Sequence, residues 1–196
     1  HRDLHSFPTR RSSDLASGTQ PGDRESLRGR DNEPVVWVSW REALSFCAWL
    51  TQRWRDQGWL TKGWVVQLPS EAEWEKAARG GVEISTEMVV VRGESLSKSF
   101  PTSPPCENPK PRRRYPWGDK PDSNRANYDE TGIGETSTMD CFPSGRSPYG
   151  VEDLSGNVWE WTRSLYWKYP YNSIDGREDL GVGNDISRVL RGGAFD

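Results

Sequence analysis

The decapeptide "DLSGNVWEWT", Asp153 to Thr162, sets oxygen-bearing residues directly against two tryptophans. Asp153, Asn157 and Glu160 carry side-chain oxygen, the Ser155 carbonyl can add another, and Gly156 permits a sharp turn. Hard cations such as Ca²⁺ take carboxylate, amide and backbone carbonyl oxygens together, so cation binding is one chemistry open to this stretch. The spacing is not that of an EF-hand loop. The same residues also describe a strand-entry turn in which Asp153 and Asn157 merely bond the local backbone. Alternation along "NVWEWT" predicts Val158 and Glu160 on one side of a strand, with Trp159 and Trp161 planted in the core on the other.

Other chemistries are harder to build. The segment "HSFPTRRSSDL", His5 to Leu15, resembles the translation of a sequencing-adaptor oligonucleotide, and residues 1–15 are read as an artefact. His1 and His5, the two histidines of the chain, both fall there. Without them a Ser-His-Asp or Cys-His arrangement is impossible, and so is a zinc site built on histidine. Cys47, Cys106 and Cys141 form no C-x-x-C pair, and an odd number gives no disulfide framework. Cys47 lies in a helical pattern and reads as a small core residue. "RGG" occurs at Arg79–Gly81, ending a helix, and at Arg191–Gly193, in a strand-like context. No phosphate-cradling glycine loop is present, and no catalytic residue is assigned.

The elements that must position the turn are short. Hydrophobic residues make up 33% of the 196, below the roughly 45–50% usual for globular chains. Eleven tryptophans offset this and predict an aromatic core. Nineteen glycines and 14 prolines predict many turns and little regular structure. Ser39 with Glu42, and Ser70 with Glu73, are capping boxes, in which each side chain satisfies a backbone N–H at a helix start. They predict helices over Trp40–Arg55 and Ser70–Arg79. The first buries a stripe of Trp40, Ala43, Leu44, Cys47, Thr51 and Trp54, the second Trp74, Ala77 and Ala78. Strands are predicted at Val35–Val38, Trp64–Leu68, within "EMVVVRG", and in "NVWEWT" and "RVLRGGAF".

Residues 16–33 read as a polar linker, with the domain over 34–196. A Ser-, Pro- and Arg-rich insertion at about 93–114 reads as a structureless loop, either a mobile surface excursion or a functional loop. The run Arg112–Arg114 reads as a solvated face, since no aromatics interleave it. A net charge of −3 argues for neither nucleic acid nor membrane as partner. No apolar run approaches the ~20 residues of a membrane span; the redox compartment stays open, with a cytoplasmic setting the expectation.

Six motifs then fall in one order: "VSWREALSFCAWL", "LPSEAEWEKAARGG", "YPWGD", "ANYDETG", "PYGVEDLSGNVWEW" and "RVLRGGAF". In this the chain resembles the formylglycine-generating enzyme family, also called the sulfatase-modifying-factor domain. The resemblance implies an α+β, C-type-lectin-like fold with sparse secondary structure, two main helices and short antiparallel strands. It implies structural calcium at Asp153, Asn157, Glu160 and the Ser155 backbone. It implies a second calcium position beginning at Asn127 and the Tyr128 carbonyl, where a later acidic ligand has no clear counterpart. Members of the family oxidise a sulfatase cysteine to formylglycine with copper and a cysteine pair that lies downstream of the "RGG" strand. The resemblance thus implies a Cys-containing protein or peptide as substrate, copper only in a full-length active form, and a chain cut before its catalytic cysteines. Neither Cys106 nor Cys141 takes their role. A non-catalytic binding or regulatory module of the same fold is the alternative. Related iron-dependent sulfoxide synthases need histidine ligands that this chain does not supply.

Overall fold

The computed structural model describes residues 32–87, 103–183 and 186–196. The chain divides between Gln67 and Leu68 into two compact units.

In the first unit, helix α1 spans Trp40–Asp56, one residue beyond the predicted end. Its capping box is formed. The Glu42 N–H donates to Ser39 Oγ at 3.3 Å, and the Ser39 N–H donates to Glu42 Oε2 at 2.8 Å. Such a cap contributes about 1 kcal/mol. Trp40, Cys47, Leu50 and Thr51 are buried on one face; of the predicted stripe Trp40, Cys47 and Thr51 are buried, while Ala43, Leu44 and Trp54 are half-buried.

Neither strand predicted here forms. At Val35–Val38 the chain is irregular, because Trp37 takes a left-handed φ of 59° that an extended strand cannot hold. At Trp64–Gln67 the backbone bonds a helix side chain instead of a neighbouring strand: the Val66 N–H donates to Thr51 Oγ1 at 2.8 Å, and that hydroxyl in turn donates to Cys47 O.

In the second unit, helix α2 spans Glu71–Arg79, with Ser70 as its capping residue. The Glu73 N–H donates to Ser70 Oγ at 3.1 Å, and the Ser70 N–H to Glu73 Oε2 at 2.7 Å. Gly80 ends the helix at φ 89°, and a Cβ there would sit 2.5 Å from Ile84 Cγ2, so both conformation and space demand glycine.

Strand β1, Glu83–Ser85, pairs antiparallel with β2, Pro105–Glu107. The stretch read as a structureless insertion therefore contributes a strand in its described part. Met88–Gly93 of the strand predicted in "EMVVVRG" lies outside the described residues. Strand β3, Glu160–Leu165, pairs antiparallel with β4, Arg188–Arg191, with Glu160 opposite Arg191 and Trp161 opposite Leu190. Helix α2 packs on both strands.

The core is not aromatic. Trp40 is buried; Trp37, Trp64, Trp159 and Trp167 are exposed, and the other six tryptophans are half-buried. The most enclosed side chains of the second unit are Asn108, Asn127, Asn157, Thr162, Ser164 and Arg177. A turn-rich chain leaves many backbone groups without a helix or sheet partner. Buried amides and hydroxyls supply the missing bonds. Asn108, for instance, donates from Nδ2 to Arg79 O at 2.9 Å and to Gly81 O at 2.7 Å, closing the end of α2.

Candidate cation site

The turn before β3 is clamped from two sides. The Asn157 N–H donates to Asn127 O at 2.7 Å, and the Gly156 N–H donates to Gly192 O at 2.8 Å. Asp153, Gly156 and Asn157 take left-handed φ values of 55°, 82° and 65°. Aspartate and asparagine tolerate this region better than most residues, which explains their choice at the outer positions. At Gly156 space decides as well: a Cβ would lie 2.1 Å from Asn127 O. The motif at 127 and the motif at 153–160, distant in sequence, are thus one structure.

Asn157 is 1% exposed, and its carboxamide oxygen is already engaged. It accepts from the Ser137 N–H at 2.9 Å and from Asn127 Nδ2 at 3.4 Å, while its Nδ2 donates to Ser137 O at 3.2 Å. Its side chain therefore ties the 127 and 137 loops together. Asn127 donates from Nδ2 to Glu135 O at 2.9 Å, but its buried Oδ1 has no hydrogen-bond donor. The Tyr128 N–H is held by Thr131 Oγ1 at 3.2 Å.

The two carboxylates lie where charge is disfavoured. Burial raises the Asp153 carboxyl to about 6, and the negative charges of Glu152 and Asp140 push it the same way. Burial raises Glu160 to about 7; the charge of Asp153 adds to this, and the Trp74 indole N–H, donating to Glu160 Oε2 at 2.5 Å, opposes it. Arg191 stands opposite Glu160 in the strand register but turns to Glu71. Among the described residues no three Asp, Glu, His or Cys side chains converge into a metal cluster, so a cation here would draw on amide and carbonyl oxygens too.

The face of β3 is the reverse of the predicted one. Trp159, before the strand begins, is 58% exposed, and Trp161 is half-buried. The buried row is Thr162 and Ser164, continuing Glu160. The reason lies in the partners: Thr162 Oγ1 donates to Val189 O at 2.9 Å, and Ser164 Oγ accepts the Glu71 N–H at 2.8 Å. Hydroxyls on this row satisfy backbone groups of β4 and α2, which tryptophans could not do.

Sequence reasoning missed a second acidic cluster packed beside the same strand. Glu71, 5% exposed, pairs with Arg191, and the Tyr169 hydroxyl donates to Glu71 Oε1 at 2.7 Å. Glu178 accepts from Ser164 Oγ at 2.6 Å and the Tyr171 hydroxyl at 2.7 Å, and pairs with Arg163 Nε at 3.1 Å. Arg163 also pairs with Glu73 at 2.9 Å. Tyr169 and Glu71 are 98 positions apart, so no local pattern announces the contact.

Among the described residues, two α-helices, short antiparallel strands, turn-rich connections and a buried asparagine node define an α+β domain of the C-type-lectin-like, sulfatase-modifying-factor class. The family model described as "Sulfatase-modifying factor enzyme 1-like domain" matches residues 6–196, and the chain belongs to that family. It is 27% identical over 187 residues to the formylglycine-generating enzyme of Mus musculus, covering 89% of this chain and 38% of that protein. It is 32% identical over 184 residues to the inactive C-alpha-formylglycine-generating enzyme 2 of the same species, covering 89% of this chain and 41% of that protein. The chain thus spans about two fifths of the length of these relatives. Treponema denticola variable protein 1 shares the fold with a TM-score of 0.51 at 21% identity, over 95% of this chain and 70% of that one. Among the described residues no helix is long and apolar enough to cross a membrane.

Proposed function

We propose that this chain is the cation-braced scaffold of a formylglycine-generating-type protein, whose whole form acts on a cysteine of a sulfatase or similar peptide. The observation that carries the reading is the pair Asp153 and Glu160: two part-buried carboxylates whose charged neighbours are negative. One Ca²⁺ held by these carboxylates and the Ser155 carbonyl would supply the missing positive charge. Asn157 shapes that cradle by fixing the loops, since its side-chain oxygen already serves two N–H donors. The orphaned Asn127 Oδ1, with the Tyr128 carbonyl, fits a second oxygen-seeking cation. The expected role is structural, because the ligands are protein oxygens.

Copper chemistry finds no counterpart in the three thiols. Cys47 is buried in α1, Cys106 is exposed on β2, and Cys141 is exposed in a turn beside Thr138. They do not fit a copper–thiolate pair. A second reading, a non-catalytic module, is supported by the relatives named inactive.

Two measurements test these readings. Thermal unfolding with calcium and with chelator should show a calcium-dependent gain, about 2.7 kcal/mol at a hundredfold excess over the dissociation constant, that Asp153→Ala abolishes. Identical melting in both buffers would overturn the cation brace. Incubation of the 196-residue chain with copper and a sulfatase-derived Cys peptide should leave the thiol intact by mass spectrometry. An aldehyde product would show that the catalytic thiols are among the three present.

A further inference from the structure

A groove of about 470 Å³ runs along one side of α2, between Ala72, Glu75, Lys76 and Arg79 on the helix and Gly81, Pro111 and Arg112 opposite. Positions 72, 75, 76 and 79 share one helical face by spacing. Three of the seven lining residues are cationic and one is acidic.

The cations are under-neutralised. Arg79 is paired on one side, Nη1 to Glu75 at 2.5 Å, while its Nε has no acceptor. Among the described residues neither Lys76 nor Arg112 has a carboxylate within ion-pair distance. The Lys76 stem lies along Gly81, with Cγ and Cε each 3.8 Å from where a Cβ of that glycine would stand. Gly81 takes a left-handed φ of 64°, which a residue with a side chain would adopt only under strain.

Basic residues in the last turn of a helix often serve to complement its negative pole. Here that task is met otherwise. The Gly80 N–H caps Lys76 O, and Asn108 Nδ2 covers Arg79 O and Gly81 O. Arg113, next to Arg112, explains how the far wall is held. It donates from Nε to Lys110 O at 2.9 Å, from Nη1 to Pro116 O at 3.1 Å and from Nη2 to Asn108 Oδ1 at 2.5 Å. The expectation of a solvated Arg112–Arg114 run therefore needs correction at its centre. Arg113 is a half-buried strut beside Arg112, which is exposed and lines the groove.

We propose that this groove binds a tetrahedral dianion of the phosphate class, free or carried on a phosphorylated side chain of a partner. Two unpaired cations and half of a third match a group of charge near −2 with several acceptor oxygens. The site is separate from the cation turn and does not depend on the activity proposed above. The single acid in the groove, Glu75, is the group with which the anion must compete for Arg79.

The test uses the full chain, ¹⁵N-labelled, titrated with inorganic phosphate at constant ionic strength, chloride making up the balance. Saturable amide shifts are expected at Lys76, Arg79, Gly81 and Arg112. A K76A/R112A double variant should weaken binding roughly tenfold or more, with the melting temperature as wild type because both side chains line an open surface groove. A phosphoserine peptide and its serine counterpart form the second arm. Tighter binding of the phosphopeptide than of phosphate assigns the group to a partner, and equal binding assigns it to the free anion. Linear, non-saturating shifts, or unchanged affinity in the double variant, overturn the proposal. So does binding of single-stranded RNA with no saturable phosphate response.

Discussion

Two acidic regions flank β3, and the protein treats them in opposite ways. Around α2 each carboxylate has been given a cation: Glu71 has Arg191, while Glu73 and Glu178 share Arg163. Around the 153–160 turn, Asp153 and Glu160 meet Glu152, Asp140 and each other. Arg191 makes the contrast plain, because it stands in register with Glu160 and yet serves Glu71. A buried charge without a partner is costly, and one with a well-placed partner is tolerated. In the first region each charge is balanced within the chain; in the second, burial and like charges raise both carboxyls.

The hardest blow to the second region is steric. Gly156→Ala places a Cβ 2.1 Å from Asn127 O and forces a non-glycine residue to φ 82°. It should cost about 3 kcal/mol or more, and calcium should not restore it. Chemical denaturation with and without calcium measures both.

Glu71→Ala should cost about 2–4 kcal/mol, since it strands Arg191 and the Tyr169 hydroxyl. The loss should be the same in chelator and in calcium. A calcium-dependent loss would mean that the two regions are one electrostatic unit, and the contrast would fail.

Glu160→Gln is expected to have the opposite sign. In chelator at pH 8 it should stabilise by about 1–3 kcal/mol, because it removes a charge whose carboxyl is raised to about 7 by burial and by Asp153. It should also remove the calcium response. The same logic fixes the pH dependence of the wild type. Both carboxyls are raised above their unfolded values near 4, so the folded state holds more protons between the two. Stability in chelator should therefore fall as pH rises from about 4 through 7, and calcium should flatten that fall. Melting temperatures across this window check it, and a rise with pH would contradict the charge assignment.

The smallest effect belongs to a solvent-exposed pair. Glu75→Ala leaves Arg79 in water-accessible surroundings, with the two side chains 42% and 33% exposed, and should change stability by no more than about 0.5 kcal/mol.

Much of the scaffold was legible because its signals are local. Ser39–Glu42 and Ser70–Glu73 announced both helices, since a capping box spans three residues and owes nothing to the rest of the chain. Asp153, Gly156 and Asn157 announced a turn through residue types that accept left-handed backbone. The strands at 35–38 and 64–68 failed for the converse reason. Short apolar runs carry no record of whether a neighbouring strand exists, and Val66 found a threonine hydroxyl instead.

What the sequence determined by itself, then, is the helix starts, the turn at 153–157 and the family. The tertiary structure alone decided which face of β3 turns inward. Alternation separates two faces without naming the buried one, and the need of α2 and β4 for hydrogen-bond partners chose Thr162 and Ser164 over the tryptophans. It alone decided that Arg191 neutralises Glu71, 120 positions away, and leaves Glu160 to the Trp74 indole. Charge compensation depends on distance in space, and a sequence lists charges without their separations.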